Sequence, residues 1–173
     1  MPTIMVTRNC WRAVGGRAVL AARRPDADDR AKLRAWSLRE LPTSAGYLVV
    51  GLEETTYLTV VCPMLPLPQF LLSLAASVAT ALEALGVPGR VVHGEIQQIV
   101  EHSHFAKNDN RSLLGSVNDV AFHASVLLEH ERQMGLATLQ RVQAKLNRMP
   151  HVNREPAFPD QATRLLFSPA HST

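Results

Sequence analysis

The chain has 173 residues, 46% of them hydrophobic and 19% charged, which suits one domain with a substantial core and excludes a disordered chain. Its two cysteines, Cys10 and Cys62, form no CxxC pair and exclude a disulfide framework, so a cytoplasmic setting is expected. The net charge of +3 is uneven: residues 1–40 hold nine Lys/Arg against four Asp/Glu, residues 41–89 none against three, and residues 90–173 nine against eight.

Thr3-Ile4-Met5-Val6 reads as a short apolar strand. From Arg8 to Ala22, Trp11, Val14, Ala18 and Ala22 have helical spacing, broken at Gly15-Gly16. Arg23 to Asp29, with Pro25 and three aspartates, reads as a loop. Arg30 to Glu40 is ambiguous between a short helix and an irregular approach to a sheet. Gly46–Leu52 and Thr56–Cys62 are rich in β-branched and aromatic residues around the short polar piece Glu53-Glu54-Thr55, and predict a hairpin.

Pro63, Pro66 and Pro68 end the sheet, because proline removes a donor and fixes φ. Gln69 to Leu85 follows as a helix, apolar nearly all round and stopped by Gly86 and Pro88. Leu65–Leu85 carries one charge, Glu83, but its prolines and the lack of flanking Lys or Arg favour a buried helix over a membrane span. The N-terminus lacks the basic start and long apolar run of a signal peptide, and no membrane partner is expected. Gly94 to His104 predicts another helix, with Ile96, Ile99 and Val100 opposite Glu95, Gln97, Gln98 and Glu101.

A polar stretch, Lys107 to Asp119, precedes a long helix or helix pair over 118–149, divided near Gly135. Leu139, Val142, Leu146 and Met149 form a narrow apolar seam, so residues 136–149 are a candidate surface for a homodimer or protein partner. Residues 150–173 read as a loosely ordered tail. The expected fold is α+β: a small antiparallel sheet (hairpin 46–62 plus the N-terminal strand) packed by helix 69–85 and the helices of 118–149, with residues 1–149 as the single domain.

The order of these features resembles a family of small bacterial proteins catalogued as a domain of unknown function. Its signature is similar to Lys-Thr-x-Asn-Arg-Ser-x-Leu-Gly-Ser-Met-Asn-Asp. The matching residues are Lys107, Asn110, Arg111, Ser112, Leu114, Gly115, Ser116, Asn118 and Asp119; Asn108 stands in place of Thr and Val117 in place of Met. The likeness runs over about residues 38–128, and the hairpin has Ala45-Gly46-Tyr47 where the family often has Asp-Trp-Tyr. The resemblance implies no activity.

Each polar residue of the stretch has a structural use. Ser116 or Asn118 caps the long helix, Asp119 favours its positive end, and Ser112 with Gly115 frames one short turn. Arg111 pairs with Asp119. The same residues also build an anion site: a helix start offers free N–H groups, Lys107 and Arg111 add charge, and Ser112 and Ser116 add hydroxyls. Lys107, Arg111, Ser112, Ser116, Asn118 and Asp119 are therefore the ligand candidates, with no catalytic residue assigned.

Glu101, His102, His104, His123 and His130 show no metal-ligand spacing such as HExxH, and no metal is expected. Neither GxSxG, GxGxxG nor a Walker loop occurs, so no nucleotide cofactor is expected. Three functions remain. The leading one is a non-catalytic accessory protein that meets nucleic acid or another polyanion through Arg8, Arg12, Arg17, Arg23 and Arg24. The others are a hydrolase or anion-binding enzyme centred on Arg111, Ser116 and Asp119, and an adaptor using the C-terminal helix.

Overall fold

The computed structural model describes residues 2–16, 31–134, 138–152 and 154–168. In chain order the elements are β1 (Thr3–Val6), α1 (Arg8–Ala13), β2 (Ala35–Thr43), β3 (Gly46–Glu53), β4 (Thr59–Pro63) and α2 (Gln69–Ala84). They are followed by α3 (Gly89–His102), β5 (His104–Lys107), α4 (Arg111–Gln133), α5 (Leu139–Leu146) and α6 (Pro159–Phe167).

The α+β class is as expected, but the sheet is wider and mixed, with strand order β4-β3-β2-β1-β5. The expected hairpin is β3–β4, and β2 pairs antiparallel with β3 on its other side. The expected N-terminal strand, β1, lies parallel to both β2 and β5. Helices intervene along the chain between β1 and β2 and before β5, which is the kind of connection parallel neighbours require. The ambiguous stretch before residue 40 is β2, the longest strand. Trp36 and Leu38 face one side of the sheet, Ala35 and Leu41 the other.

Period-two alternation builds two cores, one on each face of the sheet. Ile4, Val6, Trp36, Leu38, Val49, Val60 and Cys62 pack under α2, α3 and α1, with Phe70, Leu74, Val78, Leu82 and Ile99 from the helices. Met5, Val50, Leu52 and Val61 pack under α4 and α5, with Leu113, Val117, Ala124, Val142 and Leu146. The seam of α5 is thus spent inside the fold: Val142 and Leu146 are buried, and Leu139 and Met149 pack against the same core.

α5 also closes the free edge of β4 with side chains. Asn147 Oδ1 accepts from Thr59 N and Asn147 Nδ2 donates to Thr59 O, while Gln143 Oε1 accepts from Val61 N. An open strand edge is a template for unwanted pairing, and these amides occupy it. Between α4 and α5, the buried carboxylate of Glu131 takes Arg141 and Lys145. Gly135 lies outside the described residues.

Residues 150–168, expected as a loose tail, carry α6. Pro159 at its first turn and Asp160 beside it suit a helix start. Asp160 N donates to Asn147 O, and Lys32 Nζ donates to Leu166 O. Among the described residues no helix is long and apolar enough to cross a membrane.

Candidate functional site

The polar stretch is not a loop before a helix. α4 starts at Arg111, so Ser112, Gly115, Ser116, Asn118 and Asp119 are helical, and the expected caps at Ser116 or Asn118 are replaced by Asn110. Its Oδ1 accepts from Leu113 N at 3.1 Å. Asn is among the best N-caps, and its placement ahead of Arg111 wins over the later candidates. Asn108 is buried, with Nδ2 donating to Ser37 Oγ. Arg111 and Asp119 form no hydrogen bond or ion pair with each other; eight residues apart on one helix, they are separated by about 12 Å of rise.

Helical geometry sorts the stretch into two stripes. Ser112, Ser116, Asp119, Val120 and His123 line one cleft, while Arg111, Gly115, Asn118 and Phe122 fall on an adjacent, exposed stripe. Lys107, at the end of β5, is exposed and does not line the cleft. The structure therefore brings together three of the six ligand candidates. Of the arginine candidates, Arg8 and Arg12 are exposed one turn apart on α1, and Arg17, Arg23 and Arg24 lie outside the described residues.

The cleft measures about 460 Å³, within the range of small-molecule sites. Its other walls are Tyr57 and the segment after α5, Met149 to Val152 with Arg154. Tyr57, His123, His151 and Arg154 have no local motif that marks them. His123 stands four residues after Asp119, a spacing that puts two side chains on one helix face.

Tyr57 is the hub. It sits at φ 60°, a left-handed conformation that costs a bulky residue about 1–2 kcal/mol. The buried carboxylate of Glu53 holds it there: Glu53 Oε2 accepts from Thr55 N, Thr56 N and Thr56 Oγ1. Burial pushes the Glu53 carboxyl above its ordinary range, and the bonds from Thr56 and Thr55 pull it back.

Three groups meet the Tyr57 side chain. The Arg154 guanidinium lies 3.9 Å from the ring centroid, and the His151 ring stands edge-on at 4.8 Å. Ser116 Oγ is 3.3 Å from the phenol oxygen and 3.2 Å from Ser112 O. A relay in which Tyr57 donates to Ser116, and Ser116 to the Ser112 carbonyl, satisfies both hydroxyls.

Arg154 is partly a clamp. Its Nη2 donates to Glu54 O and its Nη1 reaches Thr55 O, tying the C-terminal segment to the β3–β4 turn. Of the five N–H donors of a guanidinium, two are used in this way, and the charge stays beside the cleft. His151 N donates to Ala157 O at 2.7 Å and fixes the same segment. Burial holds the His151 imidazole below its ordinary range, followed by the charge of Arg154; Asp119 opposes the shift and His123 adds to it.

The family model of a domain of unknown function, DUF6933, matches residues 7–162. The chain belongs to this family. No curated protein and no solved structure matches it. The DUF6933 match spans every wall of the cleft, from Tyr57 through α4 to Arg154, including residues beyond about 128, where the signature resemblance stops.

A larger hollow of about 600 Å³ in the DUF6933 fold lies between the β2–β3 turn and the C-terminal half of α4. Its charged residues, Glu129 and Arg132, bond to one another at 2.9 Å, so it offers apolar surface rather than chemistry. Among the described residues no cluster of three His, Cys, Asp or Glu is arranged to hold a metal ion.

Proposed function

We propose that the protein binds a small anionic molecule, bearing phosphate or carboxylate, in the cleft between α4, Tyr57 and Arg154. The observation that carries this reading is Tyr57. It keeps a costly left-handed backbone while its ring assembles Arg154, His151 and Ser116 at one wall of the cleft. Strain of this kind gathers at ligand sites because the surrounding structure over-determines it. The cation of the anion site is then Arg154 rather than Arg111, with Ser112 as a hydroxyl partner and the two histidine rings as further donors.

Titration with inorganic phosphate, followed by the histidine ring proton signals, tests the reading. Saturable shifts at His123 and His151 are expected. Ser112→Trp, which sets a bulky ring at the cleft from an exposed helix position, removes them while leaving the melting temperature unchanged. Absence of any shift at these two rings in the wild-type protein rejects the reading.

A second reading follows from Arg8 and Arg12, exposed one turn apart on α1 in the basic N-terminal third. It is contact with a polyanion such as nucleic acid. It requires affinity that falls steeply with salt, and Arg8→Ala with Arg12→Ala lowers the salt slope by about two contacts.

A further inference from the structure

We propose that the cleft cleaves single-stranded RNA by transesterification, with His151 as general base and His123 as general acid. The proposal rests on the anion-binding reading of the same cleft and names its substrate.

Two imidazoles reach one cleft from separate elements, His123 from α4 and His151 from the segment after α5. Imidazole is the side chain suited to both taking and giving a proton near neutrality. The groups facing them are Tyr57 and Arg154 on one wall and Asp119 on the other. Burial, and then the charge of Arg154, press His151 toward the neutral form, the form a base needs. His123 is exposed, and Asp119 stands one turn before it on the same stripe.

The chain offers no activated nucleophile here. Ser116 is engaged with Tyr57 and the Ser112 carbonyl, and neither Ser112 nor Ser116 hydrogen-bonds a histidine or a carboxylate. A nucleophile carried by the substrate supplies what these two serines do not. An RNA 2′-hydroxyl satisfies this, because it is held covalently beside the phosphodiester it attacks.

In the step, His151 takes the 2′-hydroxyl proton as that oxygen bonds to phosphorus. The P–O5′ bond breaks, its electron pair leaves on O5′, and O5′ takes a proton from His123. The products are a 2′,3′-cyclic phosphate and a 5′-hydroxyl. Arg154, with donors to spare, faces the charge that builds on the non-bridging oxygens. Exchange with water returns both histidines to their starting forms.

The test uses the full chain, a labelled single-stranded RNA oligonucleotide and the same sequence in 2′-deoxy form. Expected are RNA products ending in 2′,3′-cyclic phosphate, an intact deoxy strand and a bell-shaped pH dependence. His123→Gln, at an exposed helix position, lowers the rate by about 10²–10⁴-fold with an unchanged melting temperature. His151→Asn does the same, and its fold is checked by circular dichroism.

Intact RNA, cleavage of the deoxy strand, or equal cleavage by identically purified His123→Gln protein overturns the proposal. If RNA stays intact while inorganic phosphate still shifts the His151 ring signals, this proposal alone falls. If phosphate shifts neither ring, the binding reading falls with it.

Discussion

The guanidinium of Arg154 lies 3.9 Å over a Tyr57 ring that is presented from a left-handed backbone, φ 60°. The ring contact favours the chain in this state and the backbone opposes it, so the two can be separated by substitution. Tyr57→Phe keeps the stack and loses only the contact to Ser116, a cost of about 1 kcal/mol. Tyr57→Ala loses the buried ring, about 3–5 kcal/mol, and keeps the strained backbone. Tyr57→Gly loses the same ring but removes the strain, so it should be more stable than Tyr57→Ala by about 1 kcal/mol. Urea unfolding gives the order; an alanine variant as stable as the glycine variant would show that the turn bears no strain.

Asn147 predicts a second effect, at the sheet edge. Its side chain pairs with both the N–H and the C=O of Thr59, at 2.7 and 2.8 Å, in a buried position. Asn147→Ala strands those groups, each at about 1–3 kcal/mol. It also opens the β4 edge, so more concentration-dependent aggregation is expected. Light scattering and urea midpoints, compared with the exposed control Ala144→Ser, measure both. A midpoint shift no larger than the control's would mean that water replaces the amide without loss.

Which parts of this were legible in the sequence follows from how local the cause is. β3, β4 and α2 were readable because β-branched runs, proline stops and an apolar helix are written in adjacent residues. β2 was not, because Ser37, Arg39, Glu40 and Pro42 dilute its alternation, and only pairing to β3 and β1 makes it a strand. The helix start was misplaced because several residues can cap, and the choice of Asn110 depends on the turn that also brings it to Glu54. Three of the six ligand candidates, Ser112, Ser116 and Asp119, line one cleft because their spacing puts them on one helix face. Tyr57 lies about 95 positions before the segment that carries His151 and Arg154, and no spacing rule joins residues so far apart.

Gly51 gives a third prediction. It lies in β3, where an added Cβ would stand 3.0 Å from both Leu38 Cδ2 and Val60 Cγ2. Both neighbours are fully buried and belong to the core under α2. Gly51→Ala therefore forces a shift in a packed layer, at about 1–3 kcal/mol. The exposed Gly94, with open space around it, is the control: Gly94→Ala on α3 should stabilise by about 0.5–1 kcal/mol. Thermal unfolding of the pair should move in opposite directions, and a neutral Gly51→Ala would mean the Leu38 and Val60 side chains yield freely.

Two buried glutamates shape the pH dependence in opposite senses. Hydrogen bonds from Lys145 and then Arg141 hold the Glu131 carboxyl below its ordinary value of 4.5. Such a group contributes stability above its unfolded pKa and loses it as pH falls through the folded one. Burial holds Glu53 above the same ordinary value, so its contribution is full below about that pH and declines as pH rises toward the raised value. Glu131→Gln should thus be destabilising at pH 7, with the gap to wild type closing as pH drops below 4.5. Glu53→Gln should behave in the reverse sense, with its relative stability improving as pH rises, because the variant carries no buried charge while wild-type Glu53 ionises. Melting temperatures of the three proteins from pH 3 to 8 decide it. A Glu131→Gln gap that stays constant through the acid range would show that Arg141 and Lys145 hold the α4–α5 junction by packing rather than by charge.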